Sequence, residues 1–293
     1  MLWPKNLNKK IKTKINLAKY TSFKIGGPAL FFFEPKNLEI LQEVLRCAKK
    51  AGIKIYILGA GSNILVSDTG IKGLVIKLSN DNFKFIQRKK SSLTVGSALR
   101  LNQLVAFTKN NTLSGLEFLA GIPGTVGGAI AGNAGAWGKE IGELVKEVSV
   151  LDYSGKLSIL RKNKLKFAYR KSNLNKYVII AAKLKLKKAD KNNINFKVKE
   201  YLLKRNKTQC NRLPNAGCIF KNPSKNSAGF LIDRCGLKGK IKGGALISKT
   251  HANFILNFRH SKSSDVMALM NLIQKKVKEK FKIILKPEIK IWR

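Results

Sequence analysis

The stretch GLEFLAGIPGTVGGAIAGNAGAWG, residues 115–138, carries Gly121, Gly124, Gly127, Gly128, Gly132, Gly135 and Gly138, with the hydrogen-bonding side chains of Thr125 and Asn133 between them. An ordinary tight turn needs glycine only where φ is positive or where two backbones touch. So dense a run has two readings: a crowded crossing of backbones, or a cradle in which bare amides approach an anion. The stretch alone does not separate them.

A shorter run, Gly59-Ala60-Gly61-Ser62-Asn63, directly follows the apolar segment 53–58. It lacks the third glycine of a dinucleotide-binding fingerprint, because Ile64 stands three positions after Gly61. Nor does Gly138-Lys139 make a phosphate-binding P-loop, since Asn133 and Glu140 occupy positions where that motif requires glycine and Ser/Thr. Two glycine clusters, each behind an apolar segment in a strongly basic chain, nevertheless point toward a diphosphate cofactor.

Working outward from the clusters, residues 29–33 read as a strand. Asn37 reads as the cap of a helix with Leu38, Leu41, Val44, Leu45 and Ala48 on one face, ended by Gly52. Strands are expected over 53–58 and 74–78, a helix over 99–109, and strands over 145–152 and 177–186. The Lys/Asn-rich segment 187–195 reads as a solvated turn, followed by a helix over 196–206 and a domain boundary near 200. Beyond it come loops at 217–223 and 236–244, then a helix aligning Val266, Leu269, Met270, Ile273 and Val277, and a last strand over 283–291.

At 293 residues and 44% apolar composition the chain can form two or three packed domains. Its 58 Lys plus Arg against 16 Asp plus Glu leave a formal charge of +42, a surface that attracts anions. The partner is then nucleic acid or a set of phosphorylated small molecules, unless the charge is compositional drift. Because the basic residues are scattered rather than gathered on one arm or helix face, drift with some anion steering is favoured over nucleic-acid readout. Cys47, Cys210, Cys218 and Cys235 show no CxxC spacing and do not join His251 and His260 in a metal pattern, so free thiols in a reducing compartment and no metal are expected. Residues 1–19 lack the apolar core of a signal peptide, and no stretch approaches the ~18 apolar residues of a membrane span, so a cytoplasmic protein without membrane insertion is expected.

The motifs TSFKIGGPA (21–29), GAGSNILVSDTGIKGLVIKL (59–78), the 115–138 run, YRKS (169–172), AGCIFKNP (216–223), HANFILN (251–257) and PEIKIW (287–292) together resemble the UDP-N-acetylenolpyruvoylglucosamine reductase family, flavoenzymes of peptidoglycan synthesis. The resemblance runs in the family's order from about residue 15 to residue 291. It implies an α+β chain: a two-part FAD-binding region of the vanillyl-alcohol-oxidase (PCMH) type over 1–80 and 81–200, with 283–293 returning to the first part, and an α+β substrate-binding domain over 201–282. The length of the chain suggests the shorter subtype without a tyrosine-bearing loop.

The resemblance further implies an NADPH-dependent, FAD-containing oxidoreductase that reduces a UDP-linked enolpyruvyl sugar. FAD would be held by Gly59, Ala60, Gly61, Ser62 and Asn63 and by Gly121, Pro123, Gly124, Thr125, Gly128 and Asn133. With no histidine before His251, a non-covalent cofactor is expected. Arg170 matches the catalytic arginine, whose planar fork suits a carboxylate turning enolate-like. Glu288 matches the catalytic glutamate. Cys218 stands where the family commonly has a serine proton donor; a thiol, reference pKa ~8.5, is the stronger acid of the two. Lys221, Asn222 and Gln209 are candidates for the substrate's phosphates or sugar. The UDP-sugar and NADPH are thus the expected partners. An FAD oxidase for another sugar or alcohol, or a basic nucleic-acid binder on an old flavin fold, are the competing readings.

Overall fold

The computed structural model describes residues 3–209 and 213–293; Cys210, counted above among the thiols, lies outside them. The chain divides into two compact units. Met1–Thr13, Phe31–Ala60 and Gly73–Lys204 form the first, and Lys14–Leu30, Gly61–Lys72 and Arg205–Arg293 the second. The three blocks expected from sequence therefore fall into two units, with 14–30 and 61–72 grouped with the C-terminal part of the chain.

In the first unit an antiparallel sheet runs in the order Leu157–Arg161, Val145–Leu151, Val178–Lys185, Ser92–Gly96, Ile86–Lys89. Val95, Val148, Val150 and Leu184 belong to its core, which the helix Leu101–Asn110 joins through Leu101, Leu104 and Val105. That helix starts two residues later than expected because Arg100, at φ −73° and ψ 142°, is extended and bridges Thr125, while the Leu99 carbonyl accepts the Val126 N–H at 2.9 Å.

A second core in this unit gathers Phe33, Leu74 and Ile76 around the helix Leu38–Lys50. Asn37 Oδ1 accepts the Ile40 N–H at 3.1 Å, and the apolar spacing then buries Leu41, Val44, Leu45 and Ala48. Gly52, at φ 65°, closes the helix. Ile53 returns its N–H to the Ala48 carbonyl, so the strand expected from 53 begins at Ile55. Ile55–Leu58 pairs in parallel with residues 74–77, Ile55 opposite Leu74.

The solvated turn expected over 187–195 is absent. Lys187–Lys188 pairs with Leu113–Ser114, and a helix spans Lys191–Thr208. Its start is the Asp190 carboxylate, which accepts the Asn193 N–H at 2.9 Å, an acidic cap concealed in a run of lysines and asparagines.

The second unit holds an antiparallel sheet in the order Asn215–Cys218, Phe254–Asn257, Ala245–Ile247, Ile241–Lys242. The helix Ser263–Phe281 buries Val266, Leu269, Met270, Ile273 and Val277 in the core that also contains Phe220, Leu231 and Ile255. Each such side chain contributes about 1.5–3 kcal/mol on burial. The expected last strand shrinks to Lys290–Trp292, paired in parallel with Ile64–Val66. Lys282, at φ 58°, ends the preceding helix, and Pro287 has no N–H to continue a ladder. Among the described residues no helix is long and apolar enough to cross a membrane.

Asp68 reaches the start of the long helix of the second unit. Its two carboxylate oxygens accept the N–H groups of Ser263 (2.7 Å) and Ser264 (3.1 Å), and its own N–H donates to Ser263 Oγ at 2.9 Å. Burial pushes this carboxyl upward, but the hydrogen bonds from Ser263 and Ser264 outweigh it and hold the group below its ordinary value. A depressed folded pKa stabilises above the unfolded aspartate value, ~3.9, and that stabilisation is lost as pH falls through the folded value. Asp68→Asn is therefore expected to cost about 1 kcal/mol at neutral pH. Its stability curve should also be flatter than wild type below pH ~4, as urea denaturation across that range would show.

Candidate functional site

The two glycine clusters meet in the first unit. A Cβ built on Gly59 would stand 2.7 Å from Thr125 Oγ1, so only a bare glycine lets the strand end at 58 approach the second loop. Thr125 Oγ1 accepts the Gly128 N–H at 3.4 Å and caps the short helix Val126–Ala131. The same loop is stitched to residues 97–101: Leu101 N–H to Gly124 O, Val126 N–H to Leu99 O, and Gly127 N–H to Ser97 O. The backbone-crossing reading of the glycine run is therefore seen at 97–101. Neither 59–63 nor 121–133 contains an acidic side chain. A donor set of amides, hydroxyls and a carboxamide with no carboxylate fits the diphosphate of FAD.

The later part of the first cluster belongs to the second unit. Gly61 has φ 66°, and a Cβ there would fall 2.1 Å from the Tyr20 carbonyl oxygen. The Ser22 N–H donates to Gly61 O at 3.0 Å, and Ser22 Oγ donates to Asn215 O at 2.6 Å, tying the cluster to the strand Asn215–Cys218. Asn63 Nδ2 donates to Glu288 O at 3.3 Å, and Asn63 O accepts the Lys290 N–H at 3.0 Å.

Arg170 occupies the first unit, in the two-residue turn of a hairpin made by Phe167–Ala168 and Lys171–Ser172. Its φ of 54° is left-handed, at about 1–2 kcal/mol for a residue with a side chain. The guanidinium stacks over Tyr169, Cζ 5.1 Å from the ring centroid. A Cβ on Gly135 would come 3.3 Å from Arg170 Nη1, so that glycine leaves room for the cation.

Asn133, expected on the cofactor, is fully buried, and its side chain serves the interior of the first unit through Glu140, Gly142 and the Ala168 carbonyl.

Cys218, Lys221 and Glu288 are neighbours in the second unit. Glu288 N–H donates to Ile219 O at 2.8 Å, Lys221 N–H donates to Lys286 O at 2.9 Å, and Phe220 bridges Pro287. Cys218 follows a bulge: the register slips between Asn215 and Cys218, with Gly217 at φ 75° donating its N–H to Asn215 Oδ1 at 2.9 Å. Such a bulge re-aims the side chain that follows it. Asn222 is exposed and accepts the Ala228 N–H through Oδ1, while Gln209 donates its N–H to Arg205 O at 2.8 Å at the end of the helix Lys191–Thr208.

Asn253 carries more of this region than the sequence suggests. It is 1% exposed, its Oδ1 accepts the Phe220 N–H at 2.9 Å, and its Nδ2 donates to Phe220 O at 2.8 Å. Its carbonyl accepts the Ile219 N–H as well. One side chain thus behaves as an extra strand beside the segment bearing Cys218 and Lys221. His251 Nδ1 accepts the Asn253 N–H at 3.3 Å; burial, reinforced by the Lys238 charge, lowers the imidazole pKa and favours the neutral form that this bond requires. An asparagine between apolar residues in HANFILN was the available signal, but its partner lies 33 residues away.

A family model described as FAD binding domain matches residues 29–161, and one described as UDP-N-acetylenolpyruvoylglucosamine reductase, C-terminal domain, matches 208–292. The chain is 39% identical over 283 residues to UDP-N-acetylenolpyruvoylglucosamine reductase of Listeria innocua, covering 96% of this chain and 94% of the relative. It is 38% identical over 278 residues to UDP-N-acetylenolpyruvoylglucosamine reductase 2 of Symbiobacterium thermophilum, covering 94% and 90%. The crystal structure of the enzyme of that name from Thermus caldophilus superposes with a TM-score of 0.84 at 34% identity, over 97% of this chain and 99% of the other.

Two substitutions test the local arguments. Asn253→Ala strands a buried N–H and a buried C=O at about 1–3 kcal/mol each, so chemical denaturation should show a loss of several kcal/mol. Gly61→Ala sets a Cβ against the Tyr20 carbonyl in a left-handed backbone, at about 1–3 kcal/mol of strain. The purified variant should hold visibly less flavin per chain than wild type.

Proposed function

This chain belongs to the UDP-N-acetylenolpyruvoylglucosamine reductase family, and from that membership we infer that it is an FAD-dependent oxidoreductase which reduces UDP-N-acetylglucosamine enolpyruvate to UDP-N-acetylmuramate with NADPH, in peptidoglycan precursor synthesis. The chemistry that bound FAD would supply is hydride transfer, from NADPH to the methylene carbon of the enol ether. Gly59, Ala60, Gly61, Ser62 and Asn63, with Gly121, Pro123, Gly124, Thr125 and Gly128 of the second loop, would hold FAD without a covalent link. Over the chain as a whole, 1–80 and 81–200 would serve the cofactor and 201–282 the sugar nucleotide.

Hydride addition leaves negative charge on the neighbouring carbon and its carboxylate. Arg170 would pair with that carboxylate, a permanent cation whose attraction grows as the charge develops. Cys218 would give its thiol proton to the carbon, breaking S–H and forming C–H, and recover a proton from solvent afterwards. Glu288 would act with Arg170 at the developing enolate. Lys221, Asn222 and Gln209 would bind the phosphates or sugar of the substrate.

The observation that supports these roles best is the short path of bonds in the second unit, from Asn63 to Glu288 O and from Glu288 N–H to Ile219 O beside Cys218. The segments that carry the first glycine cluster, Cys218 and Glu288 are linked there by hydrogen bonds through the Glu288 backbone. The +42 charge, scattered through the sequence, is read as compositional drift with some steering of anionic substrates and not as nucleic-acid readout, and the cytoplasm is the compartment this reading gives the protein.

Purified protein should be yellow, bleached by NADPH and recoloured by the enolpyruvyl substrate. Cys218→Ala should leave bleaching intact and slow recolouring by about 10²–10⁴-fold, the usual worth of a positioned acid, whereas Cys218→Ser keeps measurable turnover. Recolouring of Cys218→Ala at the wild-type rate would remove the proton-donor role.

A further inference from the structure

The hairpin that carries Arg170 has two residues per strand and a left-handed residue in its turn, a unit too small to hold its own shape. Both of its strands are tied to one short turn at the end of the second glycine run. On one side Asn133 Nδ2 donates to Ala168 O at 3.0 Å; on the other, Ser172 Oγ donates to Ala131 O at 2.8 Å. Residues 168 and 172 flank Tyr169-Arg170-Lys171, so the arginine's turn is pinned at both ends to residues 131 and 133.

Asn133 suits this place in three ways. Its φ of 46° is left-handed, a conformation asparagine tolerates better than most residues. Its carboxamide has a donor end and an acceptor end, and both are used: Nδ2 also donates to Glu140 Oε2, and Oδ1 accepts the Gly142 N–H at 3.0 Å. It is completely buried, so water cannot take over any of these bonds. A Cβ at Gly142 would meet Phe167 Cγ at 2.5 Å, which packs the hairpin's first strand directly on the backbone held by Asn133. Residue 132 is the C-cap of the helix whose first turn Thr125 caps.

We propose that Asn133 is a positioning residue for Arg170, locking the arginine's hairpin to the turn that ends the flavin-binding loop, rather than a side-chain contact of the cofactor. The inference rests on the reading above that Arg170 serves the substrate's carboxylate. It follows that Asn133 matters to the step in which substrate is reduced and not to the loading or reduction of FAD, and that Ser172 supports the same hairpin from its other strand.

The test uses the FAD-loaded full chain and follows the two half-reactions separately by stopped-flow absorbance. Asn133→Asp removes the donor to Ala168 O and sets a second carboxylate beside Glu140. Its flavin content and rate of bleaching by NADPH should stay near wild type while recolouring by substrate slows roughly ten- to a hundredfold, the scale of a small misplacement of a catalytic group. Ser172→Ala, a milder change that decides the matter if Asn133→Asp does not fold, should slow recolouring selectively and by less. Loss of flavin, bleaching and recolouring slowed in parallel, or both rates unchanged would each overturn the inference. Arg170→Ala separates the two claims. If it recolours like wild type, the role of Arg170 itself fails; if it is slow while Asn133→Asp and Ser172→Ala are not, the positioning role alone fails.

Discussion

A buried carboxamide satisfying the backbone of an irregular segment is the interaction on which the chemistry-bearing parts of both units rest. Functional residues sit on turns and bulges, whose N–H and C=O groups have no regular ladder to enter, and each such group left bare in the interior costs about 1–3 kcal/mol. Asn253 answers this for Phe220 in the second unit, and Asn133 for Ala168 and Gly142 in the first. Both side chains hold backbone beside the candidate site residues, Cys218 and Lys221 in the second unit and Arg170 in the first. Shape-determining residues and candidate site residues are therefore neighbours in the fold but divided in task.

Charge plays a smaller part in holding the fold than the composition suggests. Ion pairs such as Lys77–Glu34 and Lys238–Asp233 are partly exposed, a class worth about 0–1 kcal/mol apiece. With 58 basic and 16 acidic residues, most lysines have no acid to pair with, and their mutual repulsion opposes compaction. The cores built around Leu104, Leu45 and Leu269 must supply the difference. Where acids are used structurally, as at Asp68 and Asp190, they cap helices instead of pairing with lysines at the surface.

The elements read correctly from sequence were those whose signal is local. The helices Leu38–Lys50 and Ser263–Phe281 show a clean apolar face, and Asn37 and Gly52 mark the ends of the first. The start of the helix Lys191–Thr208 was obscured because its cap and first turn have the composition of a loop. Residues 283–289 look strand-like in isolation but are interrupted by Pro287 and by pairing with 219–221. In the site, Arg170 could be singled out among 58 basic residues only through its motif, since nothing about a lone arginine distinguishes it. The bonds that Asn253 and Asn133 make could not be read from the sequence, for the opposite reason. Their roles are set by partners remote in sequence, and composition carries no trace of which carbonyl a buried amide will meet.

The parallel pairing of Ile64–Val66 with Lys290–Trp292, extended by the Ser67 N–H to the Trp292 carbonyl, has a bearing on how the molecule is born. A ribosome delivers the first of these strands early and the second more than two hundred residues later, so the second unit stays open along that edge through most of synthesis. Residues 73–204 of the first unit emerge without waiting for the late strand. The edge at 64–66 therefore gains its parallel partner only once residues 290–292 have been made.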